Sequence, residues 1–293
     1  MLSGRAGHTI LEMLVATTIG TLVIALGASI AFKQQRFHRD VVIAVERTDQ
    51  LEQIVALMPI SIRSIAPGEG DIAPGAARDT SFEFRATIAT SLVCDSAPGR
   101  VVLAPAAPSP RLTSMITRPE PGDTAWLLTL SDSTEKWIPR VITGVSEGPH
   151  ACALGGAPLF GTATRSSVAL GLASPLPPPG TPIRVTRPWR YSLYRASDGA
   201  WYLGAKDWSS ELGRFNTIQP VAGPFLSAAT SGLRFGFADS LGAPIPTGTM
   251  EPRRISLVEV AFRTDSVIPG KYPHATSIRG RSTAVVALRN RDR

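Results

Sequence analysis

Hydrophobic and polar positions divide the chain into distinct regimes. From Met13 to Phe32 the sequence runs for 20 residues without a charge. As a helix that run spans about 30 Å, the hydrocarbon thickness of a bilayer. From Lys33 onward apolar residues recur at Phe37, Val41, Val45, Leu51, Val55, Met58 and Ile62. These steps keep one helical face apolar, while Arg36, Arg39, Asp40, Glu46, Arg47, Asp49 and Glu52 fill much of the remainder. The pattern predicts a single helix to about Ile65, ending before Pro67-Gly68, with Pro59 kinking its last turns. Strict heptads are not sustained, so a membrane half followed by a half that docks on a sheet explains the change better than a coiled coil.

Beyond the helix the period changes. Short apolar runs at Phe82 to Phe84, Ala125 to Leu130, Trp137 to Val145, Ile183 to Tyr194, Leu233 to Phe237, Ile255 to Phe262 and Thr283 to Leu288 read as strands. Pro/Gly-rich stretches separate them, such as Pro67 to Gly75, Ala97 to Pro110 and Ser174 to Pro182. No helical period returns, which argues for an antiparallel sheet. Asp198-Gly199, between Ile183 to Tyr194 and Ala200 to Leu203, is a strong hairpin signal. The fold class expected is therefore α+β, a long N-terminal α-helix packed on an antiparallel β-sheet domain. With 293 residues and 43% apolar content, the chain has material for that helix plus one sizeable packed domain.

The entrance to the helix carries the most informative chemistry. An isolated carboxylate, Glu12, stands one turn after the Gly7-His8 pair. A charge near hydrocarbon is expensive, and an ordinary anchor has no use for it. A secretory signal peptide would have an apolar core of only about 7–15 residues. A lipoprotein signal would need a cysteine before Cys94, the first in the chain. The run Gly7-His8-Thr9-Ile10-Leu11-Glu12-Met13-Leu14-Val15 resembles the signal of type IV prepilins and type II secretion pseudopilins. That resemblance implies cleavage after Gly7 by a prepilin peptidase and N-methylation of His8, where the family usually has Phe. It also implies an assembly role for Glu12. Cleavage creates an α-amino cation four residues before Glu12, and a neighbouring subunit's amine can pair with the same carboxylate.

A second resemblance lies near the end of the chain. Trp189-Arg190-Tyr191-Ser192-Leu193-Tyr194-Arg195, the Asp198-Gly199 turn and Trp201-Tyr202-Leu203 look like the core hairpin of PilW-like minor pilins and J-type pseudopilins. The close, Ser282-Thr283-Ala284-Val285-Val286-Ala287-Leu288-Arg289-Asn290-Arg291, is similar to the PilW-like ending. The resemblance implies a leader at 1–7, a transmembrane half at 8–32 and an amphipathic half at 33–66. A pilin-like β-rich domain would follow at 67–293, with a variable insertion at about 66–182. The resemblance also implies a single pass through the inner membrane, a periplasmic domain, and a place in a filament beside other minor and major pilins. Lys33, Arg36 and Arg39 against Arg5 would by a positive-inside count give the opposite topology, and the orientation rests on the family. Two readings stay open beside the minor pilin: a J-like subunit of a secretion pseudopilus, and an adhesin or DNA-contact subunit.

Cys94 and Cys152 are the only cysteines. Outside the cytoplasm such a pair is expected to be bridged, with two separate buried thiols as the alternative. His150 lies beside Cys152, but two ligands are too few for zinc, so no metal or cofactor is expected. The sequence contains no G-x-S-x-G, Walker A, H-E-x-x-H or EF-hand pattern, which argues against an enzyme. Gly68-Glu69-Gly70 lacks a preceding strand and reads as linker. The net charge of +7 brings nucleic acid into view. Arg184, Arg187, Arg190 and Arg195 interleave with Trp189, Tyr191 and Tyr194, a composition suited to backbone contact and stacking. Strand alternation favours a plainer account, with Ile183, Val185, Trp189, Tyr191 and Leu193 on a core face and the arginines towards solvent or neighbouring subunits.

Overall fold

A computed structural model of the chain describes residues 9–105, 113–131, 134–150, 152–154, 157–162, 165–247, 251–265 and 279–288. Helix α1 (Ile10–Arg63) is continuous over 54 residues and runs unbroken through Pro59. It opens at Thr9, whose hydroxyl accepts the Glu12 N–H and satisfies one of the orphan donors of the first turn. It closes at Ser64, three residues before a short 3-10 turn at Pro67–Glu69.

The strands are β1 (Ser81–Ala97), β2 (Arg100–Leu103), β3 (Ser114–Met115), β4 (Thr124–Ser131), β5 (Thr134–Val141) and β6 (Gly144–His150). There follow β7 (Ala153–Leu154), β8 (Ala157–Thr162), β9 (Arg165–Gly171), β10 (Pro182–Arg195) and β11 (Trp201–Ser209). The last are β12 (Arg214–Phe215), β13 (Gln219–Phe225), β14 (Leu233–Ala238), β15 (Leu257–Asp265) and β16 (Arg279–Ala287). The main sheet runs β12-β11-β10-β1-β2-β9-β6, with β13 on β11, β3 on β1, and the β4–β5 pair on β10. A separate sheet runs β14-β15-β16. Its pairings are antiparallel, as are those of the main sheet.

Among the described residues two large hydrophobic cores, with a smaller cluster around Cys94, fill the domain. In the first, Ile54, Met58 and Ile62, spaced four residues apart on the last turns of α1, pack with residues of both sheets. Phe82 sits at its centre, with ring centroids 4.9 Å from Phe84, 5.2 Å from Phe237 and 5.9 Å from Phe235. Burying each such ring contributes about 1.5–3 kcal/mol. The second core gathers Ile88, Val93, Leu103, Leu127, Leu170 and Val185. β1 serves both, its first half feeding the first core and its second half the second. Residues of the expected insertion at 66–182 therefore fall into both cores, because β1 pairs with β10 from Ser81↔Ser192 to Leu92↔Pro182.

The docking half of the helix is shorter than its periodicity suggests. Phe37, Val41 and Val45 are exposed, and among the described side chains the buried contact begins at Ile54. The side chains of Leu51 and Val55 lie outside those described. The strand expected over Trp137 to Val145 is two strands, because Ile142 turns inward between β5 and β6. The Asp198-Gly199 hairpin is present: Arg195 pairs with Trp201, and Gly199 takes a φ of +83° that favours glycine. The Asp198 carboxylate accepts the Ala200 N–H at 2.9 Å and fixes the turn.

Candidate functional site

The sequence placed the functional chemistry at the start of the helix. Gly7 and His8 lie outside the described residues. Glu12 is in the first turn of α1, where a negative charge is favoured by the helix dipole. Beyond it the segment Ile10–Arg39 is long and apolar enough to cross a membrane, and its side chains are uncovered by the rest of the chain. The hydroxyl side chains of its uncharged run are satisfied within the helix. The hydroxyls of Thr17, Thr18, Thr21 and Ser29 donate to carbonyls three residues back at 2.8–3.0 Å. That arrangement suits hydrocarbon, where a polar group has no water to turn to. The uncovered apolar surface continues past the span through Val41, Val42 and Val45.

Three of the four arginines of β10 are held within the domain, and Arg195 at its end is exposed. Arg184 is buried and reaches Asp71 at 2.7 Å and Glu69 at 2.8 Å. Its guanidinium lies between Trp126 and Trp137, 5.5 and 5.9 Å from the ring centroids. Arg187 is also buried and grips Asp123 through two nitrogens, each at 2.8 Å, with Glu120 and Asp207 at 3.3 and 3.4 Å. The paired Asp123 carboxylate holds the Arg187 proton more firmly than usual. Arg190 pairs with Glu83 and lies over Phe215, 4.4 Å from its centroid. Arg195 donates to the Gly199 carbonyl at 3.1 Å. Three of the four cations that suggested nucleic-acid contact are thus neutralised within the domain. The core face is as the alternation implied: Ile183, Val185 and Tyr191 are buried, and Trp189 and Leu193 pack partly against the core. What alternation could not reveal is that the opposite face of β10 is covered too.

Asp71 and Asp123 are the residues sequence reasoning passed over. Asp71 follows the Gly68-Glu69-Gly70 stretch, and that stretch is structural: Gly70 takes a φ of +84° at the end of the 3-10 turn. The turn directs Glu69 and Asp71 onto Arg184. Asp71 also accepts the Ala66 N–H at 2.8 Å, so one carboxylate ties the exit of α1 to the start of β10. Burial pushes its carboxyl above the ordinary range, against the pull of Arg184. Tyr191, hydrogen-bonded to Ser61 of α1 at 3.1 Å, is pushed up by burial as well.

Cys94 and Cys152 are bonded to each other, with Cα atoms 5.0 Å apart. Cys94 is buried against Val102, Ala104 and Ala169, and the bond ties β1 to the chain leaving β6. It closes a loop of 58 residues, worth about 4 kcal/mol by the chain-entropy account. Replacing both cysteines with serine is expected to lower the unfolding free energy by about 2–4 kcal/mol, measured by urea denaturation of the unreduced protein. A change under about 0.5 kcal/mol would show that the bond carries no stability.

Compared with known proteins, the chain matches no family model, no curated protein and no solved structure.

Proposed function

We propose that the chain is a minor pilin: a non-catalytic subunit that enters a type IV pilus through its N-terminal helix once its leader has been removed after Gly7. One observation carries the reading. A single unbroken helix has an uncovered apolar surface from Ile10 to Val45 and a buried one from Ile54, with Thr9 and Glu12 at its open end. A simple anchor needs apolar surface only as far as the membrane. Here the uncovered face continues beyond Arg39, where water would otherwise meet Val41 and Val45. Helices of neighbouring subunits cover that surface in a filament. Before assembly the first part lies in inner-membrane lipid and the domain stands in the periplasm, where the Cys94–Cys152 bond is stable.

The prepilin peptidase and other pilins are the partners this requires. Glycine at position 7 gives the peptidase close access to the backbone of the bond it cuts. Gly7→Val is therefore expected to leave the leader attached. The intact mass of the membrane-extracted variant then corresponds to the whole chain, and that of the parent to a chain beginning at His8. A variant processed as completely as the parent would remove Gly7 from the reading.

A further inference from the structure

The outer face of the β14-β15-β16 sheet carries charge that the domain does not answer. Arg263 and Arg281 stand directly opposite each other across β15 and β16. Arg234 stands opposite Ala261 and so shares their face. Like charges directly opposed on neighbouring strands destabilise a sheet. The three are exposed, and among the described residues no carboxylate forms an ion pair with any of them. They line one groove of about 280 Å³ with Ser231 and Gly236, in which Glu259 is the only acidic group among the described residues. Residues 266–278, which connect β15 to β16, contain no Asp or Glu.

β16 is also an open edge. The Phe235 N–H donates to the Asp79 carbonyl, away from β15, so Arg234, Gly236 and Ala238 turn their backbone groups to β15. Following the alternation across the register, Val258, Val260 and Phe262 bond to β16 through Val286, Ala284 and Ser282. That leaves the N–H and C=O groups of Arg281, Thr283, Val285 and Ala287 pointing outward, and among the described residues nothing bonds them. Val285, on the same outer face as Arg281, is 64% exposed.

We propose that this edge takes an extended acidic segment of another protein as an added strand. Its carboxylates meet Arg281, Arg263 and Arg234, and an apolar residue covers Val285. Charge decides the occupant: within the groove three cations stand against one carboxylate, and Asp265, next on the same face, stands opposite Arg279, so the edge selects an acidic strand and repels a basic one. A lipid surface is a poorer fit. The sheet docks on α1 from Ile54, about 20 Å along the helix past the apolar span, beyond the ~8–10 Å screening length. The site stands apart from the helix surface that carries the assembly reading, and its test is independent of assembly.

The test uses the full chain in detergent and a fluorescein-labelled peptide of alternating Glu and Val, with a Lys-Val peptide as control. Fluorescence anisotropy is expected to report binding of the first and not the second. Arg263→Glu with Arg281→Glu should weaken binding about tenfold or more. Thr283→Pro should do the same with an unchanged melting temperature, since an outward-facing N–H lets proline sit on an edge strand while removing the donor. Equal binding of both peptides, or binding indifferent to the charge reversal, overturns the proposal. Binding that falls with the charge reversal and not with Thr283→Pro, in a variant of unchanged melting temperature, overturns the added strand. Retention on DNA lost with the same charge reversal, without peptide binding, overturns the acidic-protein assignment.

Discussion

Replacing Glu12 with alanine is expected to leave the chain cleaved after Gly7 and to remove it from filaments. On the proposed reading cleavage depends on the backbone around Gly7, five residues before the carboxylate, and assembly depends on the charge. A carboxylate at the edge of hydrocarbon costs several kcal/mol unless it meets a cation, and the cleaved amine supplies one. Methylation preserves that positive charge. In the proposed stack of helices the amine of one subunit pairs with Glu12 of the next, and that pairing would fix the axial register. The Thr9 hydroxyl, which accepts the Glu12 N–H, holds the first turn in the conformation that presents the side chain. The measurement is the ratio of Glu12→Ala protein in sheared filaments to that in membranes, with processing followed by mass. A drop of tenfold or more is expected, corresponding to about 1.4 kcal/mol of lost preference. Incorporation at the parent level would exclude the charge pair as the assembly device.

The second large effect lies where the helix joins the sheet. Asp71→Ala is expected to destabilise the domain by about 3 kcal/mol, and Arg184→Met by less. The asymmetry has a chemical origin. Loss of Asp71 leaves a guanidinium that cannot give up its proton, almost fully buried, with the partly exposed Glu69 as its counter-ion. It also orphans the Ala66 N–H. Loss of Arg184 leaves a carboxyl that burial has already pushed up and that can take a proton. The sign of the pH dependence follows. A carboxyl raised in the folded state binds its proton more tightly there than in the unfolded chain. Its favourable contribution is complete below the unfolded value and is lost as pH rises through the folded one. Arg184→Met should therefore lose least stability in acid and more towards neutral pH. Asp71→Ala lacks that group and its titration. Urea denaturation at acid and neutral pH reads both effects. Equal losses for the two variants at each pH would contradict the assignment of this pair as the lock between helix and sheet.

The sequence displayed some of this plainly and hid the rest for physical reasons. The long helix was legible because its apolar run exceeds anything a globular core requires, and β14 to β16 because Leu233-Phe235-Phe237 and Val258-Val260-Phe262 alternate cleanly. Gly144–His150 shows no such pattern and is a strand because β9 pairs along its whole length, from Gly144↔Gly171 to His150↔Arg165. The span of the docking contact was misplaced because an amphipathic stripe marks a face and not the partner that covers it. Val41 and Val45 lie on that stripe as fully as Met58 and Ile62, yet only the latter pair meets the domain. Arg184 and Arg187 were assigned to solvent because alternation reports one covered face. The acids that neutralise them, Asp71 and Asp123, lie 113 and 64 residues away in sequence. No local pattern announces partners at that distance.

The central claim is that this chain is a processed filament subunit, and the N-terminus of the protein in sheared surface filaments tests it most directly. Intact-mass measurement and N-terminal sequencing of that fraction are expected to find a chain beginning at His8, with the new terminus methylated. A chain that still begins at Met1 and stays entirely with the membrane would contradict the account.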